Sequence, residues 1–125
     1  MTLWLLDASV LLASQDPDDE HHDDSPRLLI GGDPLATLDL AFYEATNVAV
    51  RSWCDPPAAR RLRSRVTAVA DDAGLARVDG HLLEQAAAIA DEHGISVHDA
   101  AYVAAAPAVS GRLVSCDGRD LLSRG

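Results

Sequence analysis

The chain of 125 residues contains no lysine; all ten of its basic residues are arginine. This absence removes chemistry that depends on an amine. A Walker-type phosphate loop would have no Lys to reach its phosphates. Schiff-base catalysis would have no nucleophile. Receiver domains and haloacid-dehalogenase phosphatases, both of similar α/β build, are disfavoured for the same reason. Cysteine is scarce as well. Cys54 and Cys116 stand far apart with no CxxC spacing and no ligand partners nearby, so neither a disulfide nor a zinc site is expected, and both read as small apolar residues.

Long apolar runs are missing too. None approaches the roughly 18 residues that cross a bilayer, so no membrane partner is expected. The start, Met-Thr-Leu-Trp-Leu-Leu-Asp, lacks a basic leader region, and its apolar stretch stops after four residues. That is shorter than a secretory signal and points to a cytoplasmic protein. Positive charge is outweighed, with a formal net charge of −10. Such a surface does not attract nucleic acid over long range, so an RNA partner would be met locally, through arginines or bound metal.

What is present suits one domain spanning residues 1–125, with 48 % apolar residues to build a core. Leu3 to Leu6 reads as a buried parallel strand ending at Asp7, followed by a helix from Ser9. Residues 15 to 25 form an acid-rich loop, and a short helix follows around Pro26 to Ile30. Leu35 to Leu38 and Leu75 to Val78 are further short strands. Residues 39 to 53 read as one mainly apolar helix. Pro56 and Pro57 open a helix to about Ala73. A helix over Gly80 to His93 closes at Gly94, and another runs from Ser96 to about Ala106, before Pro107. Arg112 to Cys116 is the last strand, ending at Asp117-Gly118. Strands alternating with helices indicate an α/β fold with a parallel sheet.

Four acids stand out, each with a plain structural use. Asp7 follows a strand and could simply cap the next helix. Asp117 also follows a strand, and Asp-Gly is a common turn pair. Ser96 and Asp99 fit a capping box, with Ile95 and Ala100 as its staple. Glu44 lies among Leu40, Ala41 and Val48, where a buried carboxylate needs a partner unless helix rotation exposes it. Open parallel sheets gather ligands at the carboxyl ends of their strands. If the four acids converge there, their repulsion calls for a cation. Carboxylate oxygens suit Mg²⁺ or Mn²⁺ rather than zinc.

The order Leu-Leu-Asp7-Ala-Ser-Val-Leu-Leu, then Glu44 with Asn47, then His98-Asp99-Ala-Ala-Tyr, then Leu-Val-Ser-Cys-Asp117 resembles a PIN-domain ribonuclease over Leu3 to about Leu122. Among these it is most similar to the VapC toxins of bacterial toxin–antitoxin pairs. One departure is the end at Gly125, where many members continue into a further strand. The resemblance implies a three-layer α/β sandwich with a short central parallel sheet. It also implies a Mg²⁺- or Mn²⁺-dependent endoribonuclease, with Asp7, Glu44, Asp99 and Asp117 as catalytic metal ligands and Ser9 and Ser115 supporting them. Metal-activated water would cut RNA to leave a 5′-phosphate and a 3′-hydroxyl. A VapB-type antitoxin and a homodimer are implied as partners. An RNA-processing nuclease and a catalytically silent PIN-like binding module are the rival readings.

The remaining features have mostly structural explanations. Arg60, Arg61, Arg63 and Arg65 crowd one helix, as phosphate contacts or as a solvated face. His21 and His22 read as solvated loop side chains, His98 equally as a substrate contact or an exposed first-turn residue, and Asp120 as a solvated acid. Leu82, Leu83, Ala86, Ile89 and Ala90 repeat at helical spacing and read as core. Trp4 and Trp53 read as core or interface residues.

Overall fold

The computed structural model describes residues 2–24 and 31–115. The expected helix over 26–30, and Cys116, Asp117 and Asp120, lie outside the described residues. Four strands form one parallel sheet: β1 (Trp4–Leu6), β2 (Leu35–Leu38), β3 (Gly74–Ala76) and β4 (Arg112–Val114), in the order β3-β2-β1-β4. Leu5 faces Ala36 on one side and Leu113 on the other.

Side chains alternate across so short a sheet with period two, and this alternation makes the layers. Leu5, Ala36, Leu38 and Leu113 point to one face, where they join Leu82, Ala86 and Ala90 of α4 (Gly80–His93) and Ala101, Tyr102 and Ala105 of α5 (Val97–Ala108). Trp4, Leu6, Leu35 and Val114 point to the other. There they meet Val10 and Leu11 of α1 (Ala8–Gln15), Ala41 of α2 (Leu40–Asn47), and Val66 and Val69 of α3 (Pro56–Asp72). The result is the expected three-layer sandwich with its parallel sheet in the middle.

Local chemistry explains most element ends. Asp55 accepts from the Ala58 N–H and opens α3, with Pro56 and Pro57 in the first turn. Asp79 accepts from the Leu82 N–H at 2.8 Å and opens α4. Gly94, at φ 65° and ψ 36°, closes it in a left-handed cap. That helix matches the expected Gly80 to His93.

The expected single helix over 39–53 is instead α2 followed by a π-helical turn, Val48–Ser52. The Trp53 N–H reaches back five residues to the Val48 carbonyl at 2.9 Å. This wider turn lets Trp53 pack with Ala45, Ala49, Ala58 and Leu62, a contact that periodicity alone does not report. Cys54 is also not a packed apolar residue. It is exposed and left-handed at φ 52°, because the chain reverses there into α3. Leu83 is 45 % exposed, since one residue of helical rotation separates it from the buried stripe of Leu82, Ala86 and Ala90. Helix α5 runs through Pro107 to Ala108; a proline so close to the end leaves most of the helix's bonds intact. No described helix is long and apolar enough to cross a membrane.

Candidate functional site

Strand order decides where a ligand would sit. From β1 the chain moves outward through β2 to β3, then crosses back to lay β4 on the other side of β1. The order therefore reverses between β1 and β4, and the crevice beyond their carboxyl ends is the usual ligand position in such sheets. Leu6 pairs with Val114, so Asp7 and Ser115 emerge side by side at that crevice.

Asp7 is buried, at 3 % exposure, where the β1 backbone hands over to α1. Its Oδ1 accepts from the Ser9 N–H at 3.0 Å and from the Ser9 hydroxyl. The Ser9 and Ser115 hydroxyls lie 3.4 Å apart, which links the two strand ends through side chains. Capping and a place at the crevice thus fall on one carboxylate. Asp39 shows how little its placement in sequence would have told. It also follows a strand, yet its carboxylate accepts from the Val78 N–H at 3.2 Å and serves the loop after β3.

Glu44 is half-buried on α2, one residue before the buried Ala45. It does have the partner its apolar surroundings require. The Tyr102 hydroxyl on α5 donates to Glu44 Oε1 at 2.8 Å. Tyr102 is 1 % exposed. Burial foremost, then the charge and hydrogen bond of Glu44 and the charge of Asp7, push its phenol well above the ordinary tyrosine range, against a smaller opposing backbone hydrogen bond with Ala8. Tyr102 therefore stands between α1, α2 and α5, near both Asp7 and Glu44.

Asp99 is half-buried in the first turn of α5, three residues before Tyr102 and so on the same side of the helix. Its N–H donates to the Ser96 hydroxyl at 3.1 Å, so Ser96 supplies the cap through the Asp99 backbone. Among the described residues, no three His, Cys, Asp or Glu side chains stand close enough to hold a metal ion. The fold brings Asp7, Ser9 and Ser115 together and ties Glu44 to Tyr102. Asp117 lies outside the described residues.

Tyr102 is the residue that sequence reasoning quoted within a motif but gave no role. A signal was available. A tyrosine among alanines, one helical turn after an acid, must find a partner for its hydroxyl once buried.

The other marked residues are accounted for locally. His22 Nδ1 sits 2.8 Å from the Ala13 carbonyl, and His21 pairs with Glu20 at 3.4 Å. His98 is exposed. Arg60, Arg61, Arg63 and Arg65 are all exposed on α3, with Arg61 paired to Asp55 at 3.6 Å. The Trp4 indole donates to Asp33 at 3.0 Å under the Arg112 guanidinium.

A short parallel sheet between helical layers, with a buried carboxylate at its switch point, defines an α/β fold that receives ligands at the carboxyl ends of its strands. The family model of the PIN domain matches residues 4–124. The ribonuclease VapC3 of Pyrobaculum aerophilum is 32 % identical over 117 residues, which is 90 % of this chain and 88 % of that protein. The chain therefore belongs to the PIN-domain family, in its VapC branch. Two solved structures share the fold. VapC20 of Mycobacterium tuberculosis, a sarcin–ricin loop cleaving toxin, superposes with a TM-score of 0.80 at 22 % identity, covering 98 % of this chain and 95 % of that one. PAE2754 of Pyrobaculum aerophilum gives 0.66 at 27 % identity, covering 98 % and 84 %.

Proposed function

We propose that the chain is a divalent-metal-dependent endoribonuclease, the toxin of a type II toxin–antitoxin pair acting in the cytoplasm. The observation that carries this reading is a buried carboxylate, Asp7, at the switch point of the sheet, with Glu44 tethered beside it through Tyr102. Membership of the VapC branch supports the reaction class.

The donor set fits a hard cation, because it consists of carboxylate and hydroxyl oxygens only. As no three described acids stand close enough for direct contact with one ion, Asp7, Glu44 and Asp99 would hold Mg²⁺ or Mn²⁺ partly through its retained waters. Asp117 joins them on its place in the sequence. The chemistry supplied on binding would be a lowered water pKa and stabilised phosphoryl charge. The chain's own groups prepare the rest. Ser9 fixes the Asp7 carboxylate, Ser115 braces Ser9, and the Ser96 hydroxyl caps the first turn of α5, which carries Asp99. An antitoxin Arg or Lys entering this acidic crevice would oppose the cation, which suits a basic VapB-type partner. The toxin reading carries with it a homodimer.

The test is cleavage of total RNA by antitoxin-free protein with Mn²⁺, with Mg²⁺ and with EDTA, beside a folded Asp99→Asn variant. Discrete, metal-requiring fragments that vanish in the variant are expected. Equal cutting by the variant would overturn the assigned site. Silence under every condition would favour a binding module over a nuclease.

A further inference from the structure

Tyr102 is the largest fully buried side chain of the described molecule, and its only polar atom reaches across from α5 to α2. Helix α5 is otherwise built almost wholly of alanine and valine in this stretch, so a phenylalanine would have filled the same space. The hydroxyl is what needs explaining. A buried phenol is retained at a cost in desolvation unless it donates to a good acceptor, and a carboxylate is the strongest acceptor a protein offers.

Building on the proposed metal site, we infer that Tyr102 is a positioning residue: its hydroxyl holds Glu44 Oε1 and so sets the rotation at which this carboxylate meets the cation. Three features make it suited to that task. The ring is locked by packing on every side, so the hydroxyl is a fixed point. Glu44 is half-buried and has a long side chain, so a hydrogen bond from a fixed phenol narrows the rotations open to its carboxylate. The same hydroxyl is close enough to Asp7 to feel its charge, so the tether ties Glu44 to the surroundings of the β1–α1 junction. Outer partners that orient a ligand commonly change metal affinity about 10- to 100-fold when removed.

The test is Mn²⁺ binding by calorimetry to the full chain, wild type against Tyr102→Phe, each repeated in a Glu44→Asp background. Aspartate keeps the charge but is too short to reach the phenol. A roughly 10- to 100-fold weaker Mn²⁺ affinity in Tyr102→Phe is expected. In the Glu44→Asp background the same change is expected to alter affinity less than about twofold, because the tether is already gone. A purely structural role would lower affinity equally in both backgrounds and would overturn the inference. So would an unchanged affinity in folded Tyr102→Phe, which would leave the nuclease reading standing. A wild type that takes up no Mn²⁺ would overturn the metal reading itself.

Should Tyr102→Phe fail to fold, the unmutated protein still decides. It has two tyrosines, and Tyr43 is 80 % exposed, so the buried ring is separately resolved by carbon-13 NMR of labelled tyrosine. Saturating Mg²⁺ is expected to shift the Tyr102 Cζ resonance further in wild type than in Glu44→Asp, where only the charge change at Asp7 is felt, and equal shifts in both would overturn the inference. A resonance unmoved in wild type would overturn the inference.

Discussion

On Asp7, one oxygen accepts both the Ser9 N–H and its hydroxyl, so capping and charge can be separated by mutation. Asparagine is as good a cap as aspartate, whereas alanine is not. Asp7→Asn is expected to melt close to wild type yet lose RNA cleavage by at least about 100-fold, more than typical removal of an outer partner. Asp7→Ala is expected to lose cleavage and about 1 kcal/mol of stability as well. Melting curves beside a cleavage assay check both. At Tyr102 the sign of the pH effect follows from burial. Its pKa is raised on folding, so its contribution is fully present below the unfolded tyrosine value of about 10 and is lost as pH rises beyond it. Wild type is therefore expected to lose stability above about pH 10 more steeply than Tyr102→Phe, by up to roughly 1.4 kcal/mol per pH unit, read from urea midpoints. Parallel curves would mean that the phenol ionises as readily folded as unfolded.

Helix ends were the most legible elements. Asp79, Gly94, Asp55 and the Pro56-Pro57 pair announce their jobs because capping is a contact between residues close in sequence. Gly94 and Gly80 make a sharp contrast in the same helix. Gly94 is left-handed, and alanine there is expected to destabilise by about 1–2 kcal/mol. Gly80 has open space where a side chain would go and no positive φ, so alanine there is expected to stabilise by about 0.4–1 kcal/mol. Denaturant midpoints of the two variants should move in opposite directions. The less legible elements fail for a matching reason. The π-helical turn at 48–52 exists because Trp53 packs on α3 residues, and the exposure of Leu83 depends on which helix face meets the sheet. Both are set by distant partners.

Across the whole molecule, net charge −10 and an exposed arginine face on α3 pull in opposite directions on RNA. If net charge governs the encounter, kcat/KM on RNA at fixed Mg²⁺ is expected to rise as NaCl goes from about 10 to 150 mM, because the screening length falls from roughly 30 to 8 Å. A steep fall would instead report counterion release by Arg60, Arg63 and Arg65. By itself the sequence determined the alternation of strands and helices, the helix caps, the exclusion of lysine chemistry and the acids worth following, since each depends on residue type and near neighbours. Only the tertiary structure decided that Asp7 and Ser115 share one crevice while Asp39 serves a loop, and that Glu44 is answered by Tyr102, 58 residues away. Such pairings depend on strand order and helix rotation, and these are settled by packing across the whole chain.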